Sequence, residues 1–89
     1  MSEEEVQVQN RLGLHARAAA KFVHVANGFG ARITVTKDGT RVDGKSILGL
    51  LTLAAARGSR LRVAAEGEDA AAAVRALADL VRSRFGEDD

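Results

Sequence analysis

Asn10-Arg11-Leu12-Gly13-Leu14-His15-Ala16-Arg17-Ala18-Ala19-Ala20-Lys21-Phe22-Val23 is the stretch that decides the fold, because a polar loop with one glycine leads a histidine into an alanine-rich segment. The spacing of its apolar residues predicts a helix from Ala16 to about Ala26. His15 therefore stands where a helix begins. Unpaired amides and the helix dipole at that place would stabilise an anion on or beside the imidazole. Arg17 adds a cation whose planar fork suits phosphate oxygens.

These residues point to a phosphohistidine site, although they also have an ordinary explanation. A histidine at a helix start can be a plain surface residue, and an arginine in the first turn is often only a solvated side chain. A phosphoryl carrier needs the same groups for another reason. The imidazole would form the bond, and free amides with a guanidinium would compensate the phosphoryl oxygens.

The stretch over residues 10–17 closely resembles the active-site signature of HPr, the histidine-containing phosphocarrier family of the bacterial phosphoenolpyruvate-dependent sugar phosphotransferase system (PTS). A second match follows at Gly44-Lys45-Ser46-Ile47-Leu48-Gly49-Leu50, and the resemblance covers nearly the whole chain. One residue departs from it, since members of the family usually have proline where this chain has Ala18. Proline fixes φ and lacks an N–H that is unpaired there anyway, so its loss should loosen the helix start and remove no chemical group.

The resemblance implies a carrier that accepts a phosphoryl group from phospho-Enzyme I on Nδ1 of His15 and passes it to sugar-specific IIA domains. His15 and Arg17 would be its catalytic residues, with phosphate stabilised at Ala16 and Arg17. We expect a monomer that is not an autonomous enzyme, with no bound cofactor and no metal site. The residues expected to contact partners are Ala16, Ala20, Lys21, Ile47, Leu48 and Leu51.

Ser46 precedes an apolar run over residues 47–56, where a serine is typical of a helix N-cap and contributes ~1 kcal/mol. The resemblance adds a regulatory role. In many family members the matching serine is phosphorylated by an ATP-dependent kinase, so HPr kinase/phosphorylase would be a further partner. A phosphate would add roughly −1.5 to −2 of charge beside Ile47 and Leu48 and would block their surface without unfolding the protein.

The apolar run over residues 47–56 holds too many large side chains to bury on one stripe of a short helix. An exposed apolar cluster on a small domain usually marks a docking surface. We therefore expect a core face made of Leu50, Leu53 and Ala54, and an outward cluster made of Ile47, Leu48 and Leu51.

The other elements follow from period-two alternation, turn residues and helical spacing. Strands are predicted over residues 5–9, 31–36, 40–43 and 60–66, and a last helix over residues 70–85 with Asp69 as its cap and a fraying tail at residues 86–89. This order could be a ferredoxin-like split βαβ unit with an extra helix. The HPr resemblance instead implies an α+β open-faced β-sandwich, βαββαβα, with a four-stranded antiparallel sheet in order 1-4-2-3 and three helices on one face.

Composition narrows the function classes. With 89 residues and no cysteine, the chain is expected to form one domain over residues 1–89, without disulfides or thiolate metal sites. Its acidic start and the lack of a long apolar run predict a cytoplasmic location. A net charge of +1, no tyrosine or tryptophan and three phenylalanines disfavour a nucleic-acid-binding domain. Two alternatives stay open: an HPr paralogue in a nitrogen-related or purely regulatory phosphotransfer chain, and a non-phosphorylated interaction module.

Overall fold

The computed structural model describes residues 1–88 and has the predicted order of strands and helices. A 3₁₀ turn at Arg84–Gly86 follows the last helix. The elements are β1 (Ser2–Gln7), α1 (Ala16–Ala26), β2 (Arg32–Lys37), β3 (Thr40–Asp43), α2 (Ile47–Thr52), β4 (Arg60–Glu66) and α3 (Ala70–Arg82).

The four strands form one antiparallel sheet in the order β1-β4-β2-β3, which confirms the topology that the HPr resemblance implies. Strand β4 lies inside the sheet, where Val63 is paired with Glu4 of β1 on one side and with Val35 of β2 on the other. Side chains alternate between a buried and an exposed face. The buried face contributes Val6, Ile33, Val35, Leu61, Val63 and Ala65 to the core.

The helices complete this core with alanine and larger aliphatic side chains and with Phe22. Helix α1 buries an apolar stripe made of Ala19, Phe22, Val23 and Ala26, and Ala18 is buried beside it with no exposed surface. Helix α3 packs on β1 and β4 and also contacts α1, which in turn contacts α2. The core residues of the helices are Ala18, Ala19, Phe22, Val23, Ala26, Leu50, Ala70, Ala73, Val74, Leu77, Ala78 and Val81.

Helix α2 is shorter than the apolar run predicts, because it ends at Thr52. The next residues tighten the last turn, with the Leu53 amide bonding to the Leu50 carbonyl at 3.2 Å. Ala54 then takes a left-handed conformation, φ 48°, which no helix continues through. The predicted core role of Ala54 is therefore wrong, because its side chain is exposed, whereas Leu50 and Leu53 are buried as expected.

The two ends of the chain also differ from the prediction. Strand β1 begins at Ser2, three residues before its predicted start. Its acidic first half also pairs with β4, with the side chains of Glu3 and Glu5 exposed. Helix α3 ends at Arg82, and the side chain of Asp69 does not cap it. The Asp69 carboxylate instead accepts from the amides of Gly30 at 2.8 Å and Ala31 at 2.9 Å, which fastens the start of α3 to the segment before β2.

The predicted fraying of residues 86–89 is wrong for residues 86–88, and Asp89 lies outside the described residues. Arg84, Phe85 and Gly86 have φ values of 60°, 55° and 77°, so they form a left-handed turn that folds the tail back on the domain. Left-handed backbone costs ~1–2 kcal/mol for each residue with a Cβ. Full burial of the Phe85 side chain offsets this cost.

Candidate phosphoryl-transfer site

The loop before His15 is held by a close approach to the segment that follows α2. Gly13 has φ 67°, and a Cβ on it would lie 2.5 Å from the carbonyl oxygen of Ala55. The next amide, that of Leu14, donates to the same oxygen at 2.9 Å. Only glycine can adopt this left-handed conformation and also approach the carbonyl so closely. Gly13 therefore helps to set the position of His15 at the start of α1.

His15 is the N-cap of α1, as predicted. Its backbone is extended, with φ −79° and ψ 178°, and its carbonyl accepts from the Ala19 amide at 2.8 Å. The imidazole Nδ1 accepts from the Arg17 amide at 3.2 Å. The ring is about a quarter exposed, with 26% of its side-chain surface accessible. Nδ1 therefore lies beside an amide donor and the ring can be reached from solvent.

The other ring nitrogen contacts a carboxylate from the end of the chain. His15 Nε2 lies 2.5 Å from Oε2 of Glu87, and the Nδ2 group of Asn10 donates to Oε1 of Glu87 at 2.9 Å. Asn10 is fully buried and also donates to the Gly13 carbonyl at 2.7 Å. These contacts connect the His15 ring to the loop that leads into α1.

The ionisation of Glu87 reflects these contacts. Partial burial alone would raise the pKa of Glu87, but hydrogen bonds from His15 and Asn10 and favourable electrostatic interactions with His15 and Lys21 outweigh it. The net effect lowers the pKa of Glu87 below that of an ordinary glutamate. Glu87 is therefore a carboxylate, and thus a hydrogen-bond acceptor, throughout the neutral range.

Lys21 helps to fix the tail that carries Glu87. Its Nζ donates to the carbonyl of Phe85 at 2.7 Å, so this ammonium is engaged within the domain and is only partly exposed. The neighbouring Glu87 amide closes the turn by donating to Arg84 at 2.9 Å. Phe85 in the core and Lys21 on α1 thus hold the tail from two sides.

An open pocket of about 480 Å³ lies over the His15 ring. The exposed residues Ala16 and Arg17 line it, at the positions where the sequence predicts phosphate stabilisation. A group bound to Nδ1 would thus meet the helix start and a guanidinium. The lining residues are Arg11, Leu12, His15, Ala16, Arg17, Glu87 and Asp88.

Ser46 is the predicted N-cap of α2, and its hydroxyl accepts from the Gly49 amide at 3.0 Å. The side chains next to it are exposed, Ile47 by 40% and Leu48 by 77%. Leu51, predicted to face outward with them, is partly buried and packs against the core. The exposed apolar surface at this helix is therefore mainly Ile47 and Leu48.

The residues predicted to bind partners on α1 differ in accessibility. Ala16 and Ala20 are exposed, whereas Lys21 is occupied by the tail. The sequence did not single out Leu12, which is 61% exposed on the wall of the pocket. Because α1 contacts α2, these residues and the Ile47-Leu48 surface belong to neighbouring elements.

Sequence reasoning missed Glu87 and gave Asn10 no role. Glu87 is 72 residues from His15, in a short acidic end with no periodic pattern, so no local signal connects the two. Asn10 was visible only as part of the loop. Across residues 1–88, no group of three or more histidine, cysteine, aspartate or glutamate side chains could hold a metal ion. The same residues contain no helix long and apolar enough to cross a membrane.

Comparison with known families assigns a class to this fold and site. A profile of the PTS-HPr family, described as the PTS HPr component phosphorylation site, matches residues 2–83. The chain is therefore of the phosphocarrier class of the phosphotransferase system.

Comparison with individual proteins makes the assignment more specific. The chain is 47% identical over 87 residues to the phosphocarrier protein HPr of Neisseria meningitidis serogroup A, covering 98% of each chain. Its structure matches that of HPr-C-His from Thermoanaerobacter tengcongensis with a TM-score of 0.96 and 43% identity over the whole of both chains. The chain belongs to the HPr family.

A further structural match concerns assembly. An HPr dimer from Thermoanaerobacter tengcongensis matches with a TM-score of 0.78 and 44% identity, covering 98% of this chain and all of that one. Dimers therefore occur among proteins with this fold, and the expected monomer stays a prediction for this chain.

Proposed function

We propose that this chain carries a phosphoryl group on Nδ1 of His15, accepting it from phospho-Enzyme I and delivering it to sugar-specific IIA domains, as one domain in the cytoplasm. The observation that carries the proposal is the position of Nδ1, 3.2 Å from the Arg17 amide at the start of α1 in an accessible ring. HPr family membership supports the proposed direction of transfer and the proposed partners.

The chemistry needs a lone pair on Nδ1 and compensation for the phosphoryl oxygens. Transfer of a phosphoryl group passes through a spread, metaphosphate-like state that depends on positioning and electrostatics. As the phosphorus approaches Nδ1, the Arg17 amide is released from the ring to donate to a phosphoryl oxygen. Ala16 and Arg17 line the same pocket, so the Ala16 amide and the Arg17 guanidinium would add further positive potential.

Ile47 and Leu48 are proposed to form the apolar part of the surface that Enzyme I and IIA domains cover, with Ala16 and Ala20 on the adjoining helix. Both side chains are exposed, and an exposed apolar cluster on a small domain usually marks a docking site. We also propose Ser46 as a regulatory phosphorylation site. A phosphate there would place charge against this apolar surface and weaken docking.

The proposal is tested by incubating the protein with Enzyme I, magnesium and phosphoenolpyruvate. Wild-type protein is expected to gain one acid-labile phosphoryl group, and His15→Ala none. The matched control is His24→Ala, which removes the other histidine, an exposed residue of α1, and should leave uptake unchanged. Equal labelling of wild type and His15→Ala would refute the site.

The Ser46 proposal needs its own experiment. Treatment with HPr kinase and ATP should give an acid-stable phosphoserine that is missing in Ser46→Ala. The product should accept phosphoryl groups from Enzyme I more slowly than untreated protein. Labelling that survives in Ser46→Ala would contradict the assignment.

A further inference from the structure

The end of the chain places a carboxylate on the side of the His15 ring opposite the reacting nitrogen. Oε2 of Glu87 lies 2.5 Å from Nε2 of His15, while the Arg17 amide donates to Nδ1 at 3.2 Å. Each ring nitrogen thus has a partner of a defined kind. Nδ1 faces a donor and must offer a lone pair, and Nε2 faces an acceptor and must carry the proton.

The carboxylate is itself held in place. Asn10 is fully buried, and both oxygens in reach of its Nδ2 group, the Gly13 carbonyl at 2.7 Å and Oε1 of Glu87 at 2.9 Å, are acceptors. The amide nitrogen must therefore face them. Lys21 fixes the same tail through its bond to the Phe85 carbonyl.

We propose that Glu87 is a positioning residue for phosphoryl transfer, which holds the His15 ring as the tautomer protonated at Nε2 and so presents the Nδ1 lone pair to phosphorus. This role rests on the proposed function of His15. The acidic segment after α3 would thus contribute to phosphoryl transfer through Glu87.

Phosphoryl transfer creates a positive charge on the ring of His15, next to Glu87. The Nδ1 lone pair forms a bond to phosphorus while the N–P bond of the donor phosphohistidine breaks, and that electron pair returns to the donor ring. The His15 ring keeps its Nε2 proton and becomes a cation bearing a dianionic phosphoryl group. The Glu87 carboxylate stabilises the cation, as the carboxylate does for histidine in other carboxylate–imidazole pairs.

Two substitutions separate orientation from a general effect of the tail. Glu87→Ala removes the acceptor and leaves only the amide of Arg17 to order the ring, so the tautomer protonated at Nδ1 should gain population. Glu87→Gln should shift the tautomer equilibrium further. Asn10 requires an oxygen on its side of the new amide, so the NH₂ group turns toward Nε2 and favours the opposite tautomer, with the proton on Nδ1.

The experiment combines ¹⁵N NMR of the His15 ring with the initial rate of phosphoryl uptake from Enzyme I. The control is Glu5→Gln, which makes the same charge change in β1, where Glu5 pairs with Arg60. Wild type and control should show an unprotonated Nδ1 and equal rates. Glu87→Ala should show the signals of the two ring nitrogens shifted toward their average and a rate lower by about tenfold. Glu87→Gln should show a protonated Nδ1 and a still lower rate.

Several outcomes would overturn the proposal. Both Glu87 variants could keep the wild-type tautomer and react within twofold of the wild-type rate, or they could react faster because the carboxylate only obstructs the incoming phosphoryl group. The NMR measurement needs no phosphoryl donor. It therefore decides the positioning role even if wild-type protein takes up no phosphoryl group, a result that would instead refute the function proposed for His15.

Discussion

Gly13→Ala tests whether the fold of the active-site loop depends on the contact with the segment after α2. The new Cβ would lie 2.5 Å from the Ala55 oxygen, and the residue would keep φ 67°. The left-handed conformation costs ~1–2 kcal/mol with a Cβ. Displacing the loop also weakens the hydrogen bond from Leu14 to Ala55, worth about 0.5–1.5 kcal/mol. We expect the free energy of unfolding to fall by roughly 1.5–3.5 kcal/mol in total.

The matched control for this substitution is Gly39→Ala. Gly39 has φ 83° in the β2–β3 turn, and nothing lies within 4 Å of its added Cβ, so it reports the conformational cost alone. Because the chain has no tryptophan or tyrosine, unfolding is followed by far-UV circular dichroism in urea. Gly13→Ala should lose more stability than the control and take up phosphoryl groups more slowly. Equal losses for the two variants would show that the close approach to Ala55 is unimportant.

Three further perturbations test other contacts. Asp69→Ala leaves the amides of Gly30 and Ala31 without their carboxylate, so the free energy of unfolding in urea should fall by about 2–3 kcal/mol. Ser46→Ala removes the N-cap of α2 and should cost about 1 kcal/mol in the same assay. The pKa of Glu87 is lowered in the folded protein, so Glu87 should stabilise the fold at pH values above the ordinary glutamate pKa. Wild type should then unfold at a higher temperature than Glu87→Ala. This difference should disappear as the pH falls through the lowered pKa.

Each of these predictions has a control. Glu68→Ala removes the exposed acid next to Asp69 and should leave stability nearly unchanged; an equal loss would mean that general charge matters and the two amide contacts do not. Ser46→Asp should restore most of the stability lost in Ser46→Ala, because aspartate also caps helices. For Glu87, a stability difference from Glu87→Ala that grows toward acid would contradict the direction of the pKa shift.

The sequence predicts the elements that depend on local pattern. Alternation located β2, β3 and β4 and helical spacing located α1, whereas β1 begins three residues before its predicted start. The position of His15 at a helix start and the capping role of Ser46 also follow from residue type and neighbours. The order of the strands in the sheet does not, and was available only through resemblance to a known family.

The errors arise where distant parts of the chain meet. Ala54 leaves the helical conformation, and the next residue supplies the carbonyl that binds Leu14. Asp69 gives its carboxylate to amides 38 and 39 residues away. Glu87 reaches His15 across 72 residues. None of these contacts has a periodic signal, because each depends on the packing of the completed sheet and helices.

The most direct measurement of the central claim is NMR of ¹⁵N-labelled protein after transfer from Enzyme I, which reads out the atom bonded to phosphorus. The geometry at the start of α1 predicts phosphorus coupling to Nδ1 of His15 alone, with the proton retained on Nε2 beside Glu87. Coupling to Nε2 of His15, or to either nitrogen of His24, would contradict the account.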